Sequence, residues 1–114
     1  MPLNDAALTV GATAVKNAIT HFQLHSAATN AGGTTNVIGT RVASTGSVDS
    51  DGDITWSNIA FTGLGASQAV HTVTAWSASS GGTIYATYAL TGDATANAAG
   101  EYTVTSIVET GTAT

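Results

Sequence analysis

Apolar positions near the start of the chain recur at helical spacing. Leu8, Ala12, Val15 and Ile19 are separated by four, three and four residues, which puts them on one face of a helix. The spacing predicts a helix over residues 4–19, with Asn4 as N-cap, Asp5 at the positive end of the dipole and Lys16 towards the negative end. Gly11 and the interspersed Thr and Val residues weaken its propensity, so the helix needs packing to persist. Leu8, Val15 and Ile19 are therefore expected to be buried against a sheet or a neighbouring subunit, with the helix as a lid on one sheet face.

From Thr20 the period changes to two. Phe22 and Leu24 alternate with polar neighbours over residues 20–25, the pattern of a half-buried strand. Residues 27–35 (AATNAGGTT) read as a loop hinged at Gly32-Gly33, and residues 36–44 as a second strand carrying Val37 or Ile38 and then Val42. Residues 45–53 (TGSVDSDGD) are turn-rich. Residues 54–62 hold Ile54, Trp56, Ile59 and Phe61, and the parity slip between Trp56 and Ile59 predicts a bulge or bend at Ser57-Asn58.

The remaining chain repeats the theme. Residues 69–77 and 83–90 are strands joined by the short turn at 78–82, the clearest hairpin in the sequence. A loop of small residues follows over 91–100. The last strand, 101–109, is expected to place Tyr102, Val104, Ser106 and Val108 on one side and Ile107 on the other, with a frayed tail at 110–114. Short strands at this spacing predict a single domain over residues 1–114. Its expected class is all-β: an antiparallel, jelly-roll-like β-sandwich over about 20–109, preceded by one short N-terminal helix.

Composition changes the picture of the core. Of 114 residues, 21 are Ala, 21 Thr, 13 Gly and 10 Ser, so Phe, Leu, Ile and Val supply only 22. Thr suits a pleated, half-buried surface. Charged residues are just 8% of the chain, and a surface so short of charge is poorly defended against association. The chain therefore reads as a subunit of a larger assembly. Lys and Arg number 2 against 7 acidic residues, for a net charge of −5. That leaves no basic stripe for nucleic acid. No apolar run approaches the roughly 20 residues of a membrane span, and no secretory leader is expected from the first residues. With no Cys, disulfide and thiolate chemistry are absent.

Candidate chemistry is sparse. His21 and His25 would stand roughly 13 Å apart along a strand, too far to share one ion, and His71 belongs to another strand. Ordinary half-exposed histidines are expected. Asp49, Asp51 and Asp53 alternate as in a calcium loop, but the sixth position is Ile54 rather than Gly and the twelfth is Ala60 rather than Glu. Asp51-Gly52 reads instead as a hairpin turn. No G-x-S-x-G elbow occurs, and Asp93, Glu101 and Glu109 lie in or beside turns, so neither catalysis, a metal nor a cofactor is expected. Trp56, Trp76, Tyr85, Tyr88 and Tyr102 are needed first for the core; the first four are also the candidate residues for a subunit interface or a sugar-stacking platform.

Several stretches together resemble a known group. They are Pro2-Leu3-Asn4-Asp5-Ala6-Ala7 before the helix, His21-Phe22-Gln23-Leu24-His25-Ser26-Ala27, and Val70-His71-Thr72-Val73-Thr74-Ala75-Trp76-Ser77-Ala78. Gly81-Gly82-Thr83, the strand end Ala89-Leu90-Thr91 and a final strand opened by Gly100 complete the order. The chain resembles the small virion structural proteins of tailed bacteriophages, of the tail-fibre or minor-tail type. The loop after the first strand departs from that pattern, reading Ala27-Ala28-Thr29-Asn30 where those proteins usually carry an Asp-Pro pair. The resemblance implies a virion protein without catalytic residues that binds its own copies, a trimer first, and other virion proteins. A host-surface glycan is the alternative partner, and insertion into a membrane is not implied.

Overall fold

The computed structural model describes residues 4–90 and 94–110. The expected features at Pro2-Leu3, at 91–93 and over 111–114 lie outside them. Helix α1 (Asp5–Ala18) is followed by β1 (His21–His25), β2 (Val37–Ala43), β3 (Ser47–Val48), β4 (Ile54–Phe61), β5 (Thr72–Trp76), β6 (Ile84–Ala89) and β7 (Tyr102–Glu109). A four-stranded sheet in the order β2-β1-β5-β6 faces a three-stranded sheet in the order β3-β4-β7, and every pairing is antiparallel. The expected β-sandwich with one N-terminal helix is the fold.

The core lies between the sheets. Phe22 and Leu24 of β1 and Val73 and Ala75 of β5 point into it from one side, and Trp56, Ile59, Phe61, Val104 and Ile107 from the other. Phe22 meets Trp56 edge-to-face, with ring centroids 5.6 Å apart, the arrangement aromatic quadrupoles favour. The Trp56 indole N–H has no hydrogen-bond partner, which costs roughly 1–3 kcal/mol. Gly46 packs flat over it: a Cβ there would stand 2.7 Å from Nε1.

Three expectations about faces are corrected. At Ser57-Asn58 the expected bend occurs without a bulge, and the correction falls on the faces of β7. The β4–β7 register is constant through Trp56↔Ile107 and Ile59↔Val104, and Asn58 takes a left-handed φ of 53°. The twist at Asn58 switches the buried face of β4, and β7 follows in step. For that reason Val104 shares the core with Ile107, while Val108 is 54% exposed. Second, β1 and β5 are buried on both faces rather than one. Third, residues 45–53 contain the short strand β3, whose hairpin with β4 is closed by the expected Asp51-Gly52 turn.

Helix α1 packs on β3 and β4 of the smaller sheet. Ile19 and Ala12 are buried and Leu8 is half-buried, but Val15 is 45% exposed in the single chain, so of its two expected places the sheet is not the one it takes. The inward stripe runs Leu8, Ala12, Lys16, Ile19. Gly52 and Gly46 set that rotation. A Cβ on Gly52 would lie 2.8 Å from Leu8 Cβ, and one on Gly46 would lie 3.2 Å from Lys16 Cγ. The aliphatic stem of Lys16 takes the place anticipated for Val15.

Candidate functional site

The outer face of the larger sheet holds a strip of buried polar side chains. Alternation along β1 and β5 sends Gln23, His25, Thr72, Thr74 and Trp76 to this face, and none is more than 5% exposed. The loop over 26–36 folds back across them. Gly33, at φ 65°, sits so close that a Cβ would come within 2.6 Å of Ile84 Cδ1 and 2.8 Å of Trp76 Cζ2. It is a seat on the sheet rather than a hinge. From the edge strand β2, Arg41 lays its guanidinium 3.8 Å from the centre of the Trp76 ring and donates from Nη1 to the carbonyls of Ala78 and Gly81 at 2.8 and 2.7 Å.

Beneath this cover His25 is fully buried, so it is not one of the half-exposed histidines expected. Its Nδ1 lies 2.9 Å from the Thr35 carbonyl and its Nε2 2.9 Å from Thr74 Oγ1. A carbonyl only accepts, so Nδ1 carries the proton. Thr74 then donates to Nε2 and receives the Trp76 indole N–H at 2.7 Å. Burial lowers the His25 pKa below its usual 6.5; the Thr35 bond works against that, and the Arg41 charge reinforces it. Gln23 completes the strip by donating to Ile38 O at 2.7 Å. Every donor named here has an acceptor, which marks the strip as structural.

The three histidines are not brought together. His21 Nδ1 meets Thr20 Oγ1 at 2.8 Å, and the exposed His71 meets Thr72 Oγ1 through its own Nδ1 at 2.6 Å. Among the described residues, the one group of three His, Asp or Glu side chains close enough to share an ion is Asp49, Asp51 and Asp53, with ligand atoms within 4.8 Å of one another. Asp49 Oδ1 already accepts the backbone N–H groups of Asp51 and Asp53, each at 2.9 Å. That geometry is the one by which an Asp closes a turn.

The aromatic platform is likewise dismantled. Trp56 is 0% and Trp76 5% exposed, so neither offers a ring face to a sugar or a neighbouring subunit. Tyr85 is 51% exposed, and it is drawn with Tyr88 to a different place. The edge strands β6 and β7 lie on the same side of the sandwich, and two clefts open between them. The larger, about 400 Å³, is walled by Ala12 and Val15 of α1 and Ile19 just after it, by Tyr85 and Tyr88 of β6, and by Glu109 at the end of β7. The smaller, about 230 Å³, continues past Tyr88 to the core residues Val73, Val104 and Ile107.

Tyr88 separates the two clefts. Its hydroxyl is enclosed and makes no hydrogen bond of ordinary length. Burial, followed by the neighbouring Glu109 carboxylate, raises its phenol well above the usual value of 10.0. The larger cleft therefore combines an apolar wall, a neutral phenol and one exposed carboxylate. Alternation hinted at the inward face of β6, but the association of β6 with α1 and Glu109 is tertiary and left no periodic signal. Comparison with protein-family models, with curated proteins and with solved structures finds no match for the chain.

Proposed function

We propose that the protein is a non-enzymatic structural subunit of a bacteriophage virion, a surface component of the tail tip or fibre or of the capsid decoration, that assembles with its own copies. One observation carries the assembly part: the open side of the sandwich. There, among the described residues, β6 and β7 each pair with a neighbour on one edge only and carry the exposed Tyr85 and Val108. Neither strand contains Lys, Arg or Pro, the residues that usually guard a free edge. The virion part rests on the resemblance to small tailed-phage structural proteins, and so does the choice of a trimer. Adhesion to a host glycan loses its main support with the enclosure of both Trp rings.

Sedimentation velocity at micromolar protein tests the proposal. An oligomer is expected, a trimer first. A species of 11.2 kDa, unchanged between low and high salt, overturns self-assembly. Electron microscopy of phage particles labelled with antibody to the chain tests the location: regular decoration of tail or capsid supports it, and bare particles overturn it.

A further inference from the structure

We propose that the larger cleft, between α1, β6 and the end of β7, is the seat of a basic, apolar stretch of another protein: an extended segment in which a Lys or Arg flanks an aliphatic residue. The inference goes beyond the assembly reading and depends on it only in needing a neighbour to supply the segment.

The wall asks for an apolar side chain. Ala12, Val15, Ile19 and Ala86 line it, and Val15 is left 45% exposed although it sits beside buried Ile19 and Ala12. At about 400 Å³, the cleft falls at the small end of the roughly 300–1,000 Å³ typical of ligand sites. It holds a few side chains rather than a folded domain.

The charge asks for a cation. Glu109 lines the cleft and is exposed, and Gly52 of the Asp49–Asp53 turn lines it as well. Among the described residues, no Lys, Arg or His lines the cleft. The protein's own cations are placed elsewhere. Lys16 directs Nζ to Asn17 Oδ1 at 3.1 Å, and Arg41 is fastened to Ala78 and Gly81 across the far sheet. A second copy has no free Lys or Arg to offer the Glu109 carboxylate, because its Lys16 and Arg41 are engaged in the same way. Like-charge juxtaposition disfavours anionic partners. Tyr85, 51% exposed at the mouth, offers a ring face to an ammonium or guanidinium group.

Titration of the ¹⁵N-labelled full chain with the peptide acetyl-Val-Lys-Leu-Lys-amide, followed by NMR, tests the proposal. Saturable shifts are expected at Val15, Ala86 and Glu109, with binding at least tenfold weaker for Glu109→Gln and in 0.5 M NaCl. The acidic counterpart, acetyl-Val-Glu-Leu-Glu-amide, should give none. Val15→Trp, at an exposed helix position, fills the cleft and should abolish the shifts while the rest of the spectrum keeps its dispersion. No shift at these residues at millimolar peptide, equal binding of the acidic peptide, or shifts confined to the 49–53 turn would each overturn the proposal. A monomer that binds the basic peptide sinks self-assembly alone. A sample kept monomeric by dilution, so that no copy covers Tyr85, sinks the cleft assignment alone if it ignores the peptide.

Discussion

At His25 the fold admits a single neutral tautomer, because the Thr35 carbonyl can only accept and Thr74 must then donate. Protonation would put a second N–H on Nε2, facing a hydroxyl that already receives the Trp76 indole. The Thr74 proton would have to turn to Gln23 O, 3.5 Å away, a distance too long for a good bond. The folded pKa lies below the unfolded value of 6.5, so at acid pH the unfolded chain binds more protons than the folded one. The stability tied to neutral His25 is therefore fully present above about pH 6.5 and is lost as pH falls through the lowered folded value. Urea melts from pH 7.5 to 4.5 should fall more steeply for the parent than for His25→Gln. Parallel curves would show that the ring titrates without strain. Arg41, the charged group beside the ring, adds to the penalty and stays charged throughout the range.

Among the elements, α1 separates what periodicity can and cannot say. Ile19 is 2% exposed and Val15 45%, although both lie on the apolar stripe. Ile19→Asp should cost several kcal/mol, as an unpaired carboxylate would be buried, and Val15→Asp under about 1 kcal/mol. Thermal melts of the two variants check this, and equal losses would contradict the rotation seen for the helix. The 4-3-4 spacing located the helix to within a residue, and period-two runs located six of the strands among the described residues with edges off by three residues at most. What spacing lacked was knowledge of neighbours. Gly46 and Gly52 chose which side of the stripe faces inward. The two-residue β3 is too short to show a period, and the second buried face of β1 comes from the loop over 26–36 folding back across it. The slip between Trp56 and Ile59 was legible in the sequence. Its cause, a left-handed Asn58 in an unbroken register, was not. For the cleft, Tyr85 and Tyr88 were legible as aromatics with a possible surface role, whereas Glu109 and the helix wall reached them only through the fold.

The whole molecule measures 47 × 24 × 21 Å, an elongated body whose sheet edges supply much of its flank. Its few charges leave those edges open, and the net −5 is screened beyond about 8 Å at physiological salt. If copies associate through the β6–β7 side, a single cation there should be enough to oppose it. Val108→Lys lowers the net negative charge, so general repulsion between copies falls, yet it places a desolvation cost on the exposed edge of β7. Sedimentation should show association weakened at least tenfold, with the melting temperature of dilute protein unchanged because Val108 is 54% exposed. Association that is unaltered or stronger would move the contact to another face.

The pairing of β4 with β7 has a consequence in time as well as in space. Ile54 finds its partner at Glu109 and Phe61 at Tyr102, whereas β5 and β6 meet across a short turn. Long loops are slower to close than short ones. As the chain leaves the ribosome, the β5–β6 hairpin has its partner within a few residues, but among the earlier strands β4 is hydrogen-bonded only to the two residues of β3. Trp56, Ile59 and Phe61 therefore wait for β7 to be synthesised before they are sealed. During that interval the nascent chain displays its stickiest surface, and a ribosome that stalls before β7 would release a product prone to aggregate.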